Sequence, residues 1–257
     1  MGRAMALAFA GAGCDVAIGS LLAGATRTDQ ELSHLPAQQD LEKVHAEIEA
    51  LGVHCFSRGL DVTSNSSVDT FVSGANDAFG KIDILANAAG ITAEQTICGH
   101  SDDLWERVVD VNLHGTYRTI RHVLPGMIER NWGRIINIAS TAASVGATTS
   151  AAYCASKAGV VGLTRCVALE GAPHQVTCNA ISPTWVSTPF GRHWMTDIAE
   201  KQESRSGDAY IDEARAANPQ GRLIEASEVG ALALYLCREE AAGMTMQDLT
   251  LSAGSLW

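Results

Sequence analysis

Short apolar runs rich in β-branched residues alternate along this 257-residue chain with longer segments of helical periodicity. The short runs predict strands at 15–19, 53–58, 82–86, 134–139, 175–181 and 247–251. The longer segments predict helices at 3–12, 39–51, 66–79, 101–130, 151–170 and 225–238. Such alternation is typical of βαβ units and a parallel sheet. The length suits one α/β domain, which we expect over residues 1–257.

Charge and composition exclude several classes of partner. The net charge of −11 and the lack of any basic run argue against nucleic acid and anionic membranes. No segment approaches the roughly 18 apolar residues of a membrane-spanning helix, and none resembles a secretory signal. The seven scattered cysteines have no Cys-x-x-Cys spacing, and the eight histidines form no ligand-spaced cluster. We therefore expect a cytoplasmic protein with reduced thiols, no metal, and a small molecule as its substrate.

The candidate catalytic residues are two side chains that share a helix face and one hydroxyl upstream of them. Tyr153 and Lys157 are four residues apart, so both side chains can point into one cleft. A phenol has a pKa near 10, and a neighbouring positive charge favours its ionised form. Ser140 ends a predicted buried strand, where open parallel sheets place ligands. The pattern predicts proton transfer at an alcohol or carbonyl oxygen.

Further motifs accompany this triplet in a fixed order. Asn87-Ala88-Ala89-Gly90 ends one predicted strand, Asp61-Val62 follows another, and Asp110-Val111-Asn112 lies in a helical pattern. The last motif is Ser182-Pro183-Thr184-Trp185-Val186-Ser187-Thr188. On these residues the chain resembles the short-chain dehydrogenase/reductase family over almost its whole length.

The resemblance implies a Rossmann-like, doubly wound parallel sheet, NAD or NADP as cofactor, interconversion of a secondary alcohol and a ketone, and a homotetramer. It implies that Tyr153 moves the proton, Lys157 lowers the pKa of Tyr153 and binds the nicotinamide ribose, Ser140 orients the substrate oxygen, and Asn112 holds a relay water. The cofactor residues that it implies are Gly2, Asp61, Val62, Asn87, Ala88, Gly90, Tyr153, Lys157, Pro183, Val186 and Thr188. A substrate lid is expected at about 189–219, with Trp185, His193 and Trp194 as candidate substrate contacts.

The beginning of the sequence departs from the family pattern. The family's glycine-rich loop joins a first strand to the first helix, whereas this sequence opens at Met1-Gly2-Arg3, with Gly2 matching the last glycine. We therefore expect a sheet lacking the usual first strand, whose neighbours lose hydrogen-bond partners at about 1–3 kcal/mol for each buried unpaired group. An upstream start and a genuinely shortened chain with weakened cofactor binding both fit this pattern.

Two questions stay open at the level of sequence. Ser20 stands where an acidic side chain would favour NAD, and Arg27 is within reach of a 2′-phosphate, so the choice between NAD and NADP is undecided. The alternatives to a dehydrogenase are a catalytically impaired scaffold or binding subunit of the same fold and a cofactor-free dehalogenase. The dehalogenase pattern has arginine where this chain has Lys157.

Overall fold

The structure, a computed structural model, describes residues 1–24, 35–202 and 206–255. Its strands are β1 (Val16–Ser20), β2 (Cys55–Gly59), β3 (Ile84–Asn87), β4 (Gly133–Ile138), β5 (Val176–Pro183), β6 (Val186–Ser187), β7 (Ile224–Glu225) and β8 (Asp248–Leu251). Its α-helices are α1 (Gly2–Gly11), α2 (Gln38–Glu49), α3 (Asn65–Phe79), α4 (Asp102–Val109), α5 (Gly115–Arg130), α6 (Ala151–Gly171), α7 (Pro189–Gln202), α8 (Gly207–Ala217) and α9 (Ala226–Leu236). Each predicted strand and helix is present, with ends shifted by one or two residues in most cases.

A four-stranded parallel sheet in the order β3-β4-β5-β8 forms the centre of the fold. Every residue of β4 and β5 is buried, as expected for parallel strands with helices on both faces. On one face α1 and α9 pack over Ile136, Ile138 and Ile181. On the other face α5 and α6 pack over Ile135 and Cys178. The predicted doubly wound, single-domain architecture is confirmed.

The strands β1 and β2 form a separate parallel pair. The amide of Val16 donates to the carbonyl of His54 at 2.9 Å, so Val16 and every second residue after it direct their backbone groups toward β2. Because hydrogen bonding alternates along a parallel strand, Ala17 and Gly19 direct their amides and carbonyls away from β2. This edge of β1 has no strand partner among the described residues.

The edge of β3 opposite β4 is open in the same way. The amide of Arg134 donates to the carbonyl of Asp83 at 3.0 Å, so Ile84 and Ala86 direct their backbone groups away from β4. Side chains of β1 and β3 line one continuous cleft. The expectation that the flanking strands lose partners at this place agrees with these two unpaired edges.

One predicted helix differs from the observed one. The pattern at 101–130 predicts a single helix, whereas the structure divides it into α4, a π-helical turn at Asp110–His114, and α5. A π turn contains one extra residue, and such turns often occur at functional sites. Here the extra residue turns Asn112 into the protein interior, where it is fully buried.

The predicted lid region consists of α7 and α8 with the short pair β6-β7. Met195, Ile211 and Leu223 form a small apolar cluster there, and Trp185 packs against it. The C-terminal Trp257 and the cofactor-selecting candidate Arg27 lie outside the described residues.

Candidate active site

The loop after β4 and the first turns of α6 bring the three predicted catalytic side chains together. The hydroxyl of Ser140 hydrogen-bonds that of Tyr153, and Ser140 Oγ also accepts a bond from the amide of Ala142 at 3.1 Å. Lys157, only 4% exposed, lies with Nζ 5.7 Å from the centre of the Tyr153 ring. Tyr153 and Lys157 therefore share one helix face, as their spacing in the sequence predicts.

Burial dominates the electrostatics of this group. Desolvation raises the pKa of Tyr153 above its ordinary value, and the hydrogen bond from Ser140 opposes part of that rise. Desolvation also lowers the pKa of Lys157 to about 8. The ammonium of Lys157 donates to the carbonyl of Ile138 at 2.8 Å.

The lowering of the Tyr153 pKa by Lys157 stays a prediction, since the ammonium is directed to the carbonyl of Ile138 and burial raises the pKa of the phenol in this structure. Removal of water from around the phenol has a larger effect than the hydrogen bond from Ser140. A protonated Tyr153 is the consequence at neutral pH.

Asn112 uses its whole amide group within the protein. Its Oδ1 accepts from the amide of Ile91 at 2.8 Å, and its Nδ2 donates to the carbonyl of Ile91 at 2.9 Å and to Oγ of Ser156 at 3.0 Å. Ser156 in turn donates to the carbonyl of Tyr153 at 2.8 Å. Asn112 thus fixes the start of the loop after β3 against α6. In the predicted role of Asn112, a relay water would have to donate to Oδ1, which has a second lone pair besides the one that accepts from Ile91.

The turn after β3 reaches the catalytic group directly. A Cβ placed on Gly90 would lie 3.4 Å from Oδ1 of Asn112 and 3.5 Å from Nζ of Lys157. The absence of a side chain at Gly90 therefore leaves space between the predicted cofactor turn and the predicted catalytic residues. The turn predicted to bind the cofactor therefore lies beside the predicted proton-transfer residues.

A chain of buried polar side chains supports the same turn from below. Thr119 Oγ1 donates to Asn87 Oδ1 at 2.7 Å, Asn87 Nδ2 donates to Asn137 Oδ1 at 2.9 Å, and Asn137 Nδ2 donates to Thr164 Oγ1 at 2.9 Å. These bonds connect α5, β3, β4 and α6. The side chain of Asn87 is therefore engaged in holding the layers together.

A cleft of about 1520 Å³ extends from the open edges of β1 and β3 to the turn after β3. The predicted cofactor residues that line it are Gly2, Asp61, Val62, Asn87, Ala88 and Gly90. Gly2 begins α1, whose first amides have no partner within the helix, and anions are favoured at such a helix end. A Cβ on Gly2 would lie 3.5 Å from Cβ of Ala88, so the helix start and the turn after β3 are adjacent.

The remaining predicted residues lie beyond the C-terminal end of β5. Pro183 ends β5, and Val186 is buried in β6. Thr188 Oγ1 accepts from the amide of Gly191 at 2.9 Å, within the first turn of α7. Of the candidate substrate residues, Trp185 packs in the lid cluster, His193 is exposed and Trp194 is half-buried.

Comparison with known proteins identifies the family. A family model described as enoyl-(acyl carrier protein) reductase matches residues 1–255. The putative ketoacyl reductase of the monensin polyketide synthase of Streptomyces virginiae is 38% identical over 205 residues, 79% of this chain and 78% of that protein. D-beta-hydroxybutyrate dehydrogenase of Cupriavidus necator is 35% identical over 204 residues, 79% of each chain. The chain belongs to the short-chain dehydrogenase/reductase family.

A solved structure of this family agrees with the observed fold. Actinorhodin polyketide ketoreductase, in a crystal structure of a variant with NADPH, superposes with a TM-score of 0.88 at 32% identity. The alignment covers 98% of this chain and 91% of that one. As a short-chain dehydrogenase/reductase, the chain is an oxidoreductase of the alcohol–ketone class that uses NAD or NADP.

The donor and acceptor groups around the cleft fit a nicotinamide dinucleotide. The unpaired amides at the start of α1 suit a pyrophosphate, and the Asp61-Val62 turn offers backbone and carboxylate groups at the same cleft. Gly90 brings the main chain of the turn after β3 close to Asn112 and Lys157. The residues present therefore fit both ends of the cofactor.

Ser156 is the site residue that the sequence reasoning missed. It is completely buried and connects Asn112 to the carbonyl of Tyr153. Its position directly before Lys157 in the helix was a signal, because a buried serine in a helix needs a hydrogen-bond partner.

Two further findings concern metal ions and membranes. Across residues 1–24, 35–202 and 206–255, no group of three or more His, Cys, Asp or Glu side chains is arranged to hold a metal ion. Among the helices of the described residues, none has both the length and the apolar character needed to cross a bilayer.

Proposed function

We propose that this chain interconverts a secondary alcohol and a ketone through proton transfer by Tyr153, with Ser140, Lys157 and Asn112 completing the catalytic group. The observation that carries the proposal is the assembled contact between Ser140, Tyr153 and Lys157 beside the cleft turn at Gly90. The bound nicotinamide dinucleotide supplies or accepts the hydride.

In the direction of reduction, the hydroxyls of Ser140 and Tyr153 both hydrogen-bond the carbonyl oxygen of the substrate. The raised pKa of Tyr153 keeps its proton on the phenol at neutral pH, so the phenol is available as the acid when negative charge develops on that oxygen. Ser140 holds the oxygen in place by turning its hydroxyl proton from Tyr153 to the substrate, while its Oγ stays fixed by the amide of Ala142.

Lys157 and Asn112 act on the geometry of the site. Lys157, which lies beside Gly90, would hold the nicotinamide ribose, and its Nζ is 5.7 Å from the centre of the Tyr153 ring. Asn112 fixes the loop at Ile91 and, through Ser156, the main chain at Tyr153. The cofactor contacts that we assign are Gly2, Asp61, Val62, Asn87, Ala88, Gly90, Tyr153, Lys157, Pro183, Val186 and Thr188.

For the substrate we propose a ketone or hydroxyl group within an acyl chain. The supporting observation is that the relatives reported above are named a ketoacyl reductase and a hydroxybutyrate dehydrogenase, which share that chemistry. The helices α7 and α8 form the substrate lid, with Trp185, His193 and Trp194 as its candidate contacts. Nucleic acid and membrane lipid are not among the partners that we propose.

The deciding experiment is titration of the purified chain with NADH and with NADPH, followed by nicotinamide fluorescence. Turnover is then measured with acetoacetate and with a 3-oxoacyl thioester. Saturable binding of one dinucleotide and reduction of either ketone would support the proposal and would decide the cofactor preference. A folded protein that binds neither dinucleotide would contradict it.

The open edges of β1 and β3 favour a second candidate, a folded subunit of the same family with impaired catalysis. Such a subunit would melt cooperatively but bind both dinucleotides weakly. The same titration separates the two candidates, since only the second predicts a stable fold without saturable binding.

We also propose a cytoplasmic homotetramer. All seven cysteines are free thiols, which suits a reducing compartment. Tyr117 on α5 and Leu169 on α6 are large apolar side chains that are 46% and 66% exposed, and burial between subunits would remove them from water. Light scattering coupled to size exclusion measures the oligomeric state.

A further inference from the structure

Arg118 connects two parts of the site that are far apart in sequence. It lies on α5, its side chain is only 16% exposed, and its guanidinium donates through Nη1 to the carbonyl of Val62 at 3.2 Å. Its Nη2 donates to Oδ1 of Asp110 at 2.8 Å, and Asp110 is the first residue of the π turn. Neither Arg118 nor Asp110 is among the residues assigned above.

The Val62 end of this connection is the turn after β2. Asp61 Oδ1 accepts from both the amide and the hydroxyl of Thr63, and the amide of Asp61 donates to Ser67 Oγ. These bonds give the turn its local shape but do not attach it to α5. Two contacts do attach it: the bond from Arg118 and the packing of Val62 on Gly115, where a Cβ would lie 2.7 Å from Cγ2 of Val62.

The Asp110 end is the turn that carries Asn112. Asp110 Oδ1 accepts from Arg118 and lies 3.0 Å from Nδ1 of His114, within the same π turn. Two residues after Asp110, Asn112 holds Ile91 and Ser156. The Arg118–Asp110 pair is therefore joined by hydrogen bonds or by the main chain to both the Asp61-Val62 turn and the Asn112 turn.

We propose that Arg118 and Asp110 are positioning residues that hold the nucleotide-binding turn at Asp61-Val62 against the π turn of the catalytic group. Arg118 acts through the Val62 carbonyl, and Asp110 acts by orienting the guanidinium. A guanidinium suits this task because its planar fork donates to a carbonyl and a carboxylate at the same time. The inference rests on the proposed function, because it assigns the Asp61-Val62 turn to the adenosine half of the cofactor.

The test compares Arg118→Met, Arg118→Lys and Asp110→Asn with the unaltered chain. AMP is the probe for the adenosine half, and NADH and NADPH are the probes for the whole cofactor. Arg121→Met is the matched control, because Arg121 lies one turn further along the same helix and faces the exposed ring of Tyr117. Thermal melting of each variant verifies that it is folded.

Arg118→Met should weaken AMP and dinucleotide binding on the order of tenfold to a hundredfold, the range for loss of a hydrogen bond to a charged group. The KM for the cofactor should rise accordingly, whereas kcat at saturating cofactor should change by less than about threefold, since uniform binding is what is lost. Arg118→Lys should recover part of the affinity. Asp110→Asn should have a smaller effect, and its effect should not add to that of Arg118→Met.

Wild-type affinity for AMP and dinucleotide in folded Arg118→Met would overturn this inference and leave the proposed function intact. If that variant does not fold, unchanged AMP affinity in both Arg118→Lys and Asp110→Asn would overturn it equally. An unaltered chain that binds neither dinucleotide would overturn the proposed function, and this inference with it.

Discussion

The four-stranded sheet and the β1-β2 sheet are both parallel, but they differ in how completely their backbones are paired. In the four-stranded sheet, β4 and β5 have partners on both sides, and all of their residues are buried. In the two-stranded sheet, β1 has one partner, and its residues Ala17 to Ser20 are only partly covered. The strand β3 belongs to the larger sheet, but its other edge faces the same cleft as β1.

This difference separates the two halves of the proposed chemistry. Ser140 follows β4, and Tyr153 and Lys157 lie on a helix that packs on β5, so the proton-transfer group depends on the fully paired sheet. Six of the proposed cofactor residues line the cleft between the unpaired edges: Gly2, Asp61, Val62, Asn87, Ala88 and Gly90. A catalytic group can therefore be rigid and correctly formed while the cofactor half of the site is held less firmly.

The largest expected effect concerns the rigid half of the site, which is the proton-transfer group formed by Ser140, Tyr153 and Lys157. Tyr153→Phe removes the proposed acid but keeps the ring, so turnover should fall by about 10²–10⁴-fold while the melting temperature changes little. Tyr235→Phe is the matched control, since Tyr235 on α9 is 44% exposed. Steady-state kinetics of the two variants make the comparison. Retention of more than a tenth of the turnover in Tyr153→Phe would remove that residue from the proton-transfer step.

Hydrogen exchange tests the contrast between the sheets directly. The amides of Ala17, Gly19, Ile84 and Ala86 face the cleft and should exchange at least about 100-fold faster than the amides of β4, whose opening needs global unfolding. The control lies within β1 itself, because the amide of Ile18 faces β2 and should be slower than both of its neighbours. Exchange resolved to single amides measures this alternation. Uniformly slow exchange along β1 and β3 would show that these edges are covered in solution.

The sequence predicted the rigid half well because its determinants are local. Strand β4 is a short stretch rich in β-branched residues, and the spacing of Tyr153 and Lys157 places them on one helix face whatever surrounds them.

The features that the sequence did not predict depend on contacts between distant residues. The π turn at Asp110–His114 adds one residue to a helical pattern and hardly changes its periodicity. The partner of Asn112, Ser156, is 44 positions away. The raised pKa of Tyr153 follows from desolvation, which only the packed structure determines.

The burial of Lys157 makes the free energy of unfolding depend on pH in a way that can be measured. Its pKa is lowered from 10.5 to about 8, so between about pH 8 and pH 10.5 the folded chain has released a proton that the unfolded chain still binds. The free energy of unfolding of the unaltered chain should therefore rise with pH through this window relative to Lys157→Met, by on the order of 3 kcal/mol in total.

Urea unfolding of both proteins at pH 7, 8, 9 and 10 measures this difference, and the contributions of the other titrating groups cancel. Lys43→Met, at an exposed lysine on α2, is the control and should show no such trend. A difference independent of pH would mean that Lys157 is hydrated and that its charge is not buried.

The smallest expected effect compares the two ends of the buried polar chain from Thr119 to Thr164. Thr164→Val leaves Nδ2 of Asn137 with only a weak contact to the sulfur of Cys178, in a place that water does not reach, and should lower the free energy of unfolding by about 1–3 kcal/mol. Thr119→Val leaves Oδ1 of Asn87 at the wall of the cleft, where water can take the place of the lost hydroxyl, and should cost less than about 1 kcal/mol. Urea unfolding of the two isosteric variants measures both values. Equal losses of stability would mean that water reaches the cleft wall no more than it reaches the core. The two halves of the site would then differ in the backbone pairing of their strands but not in their access to solvent.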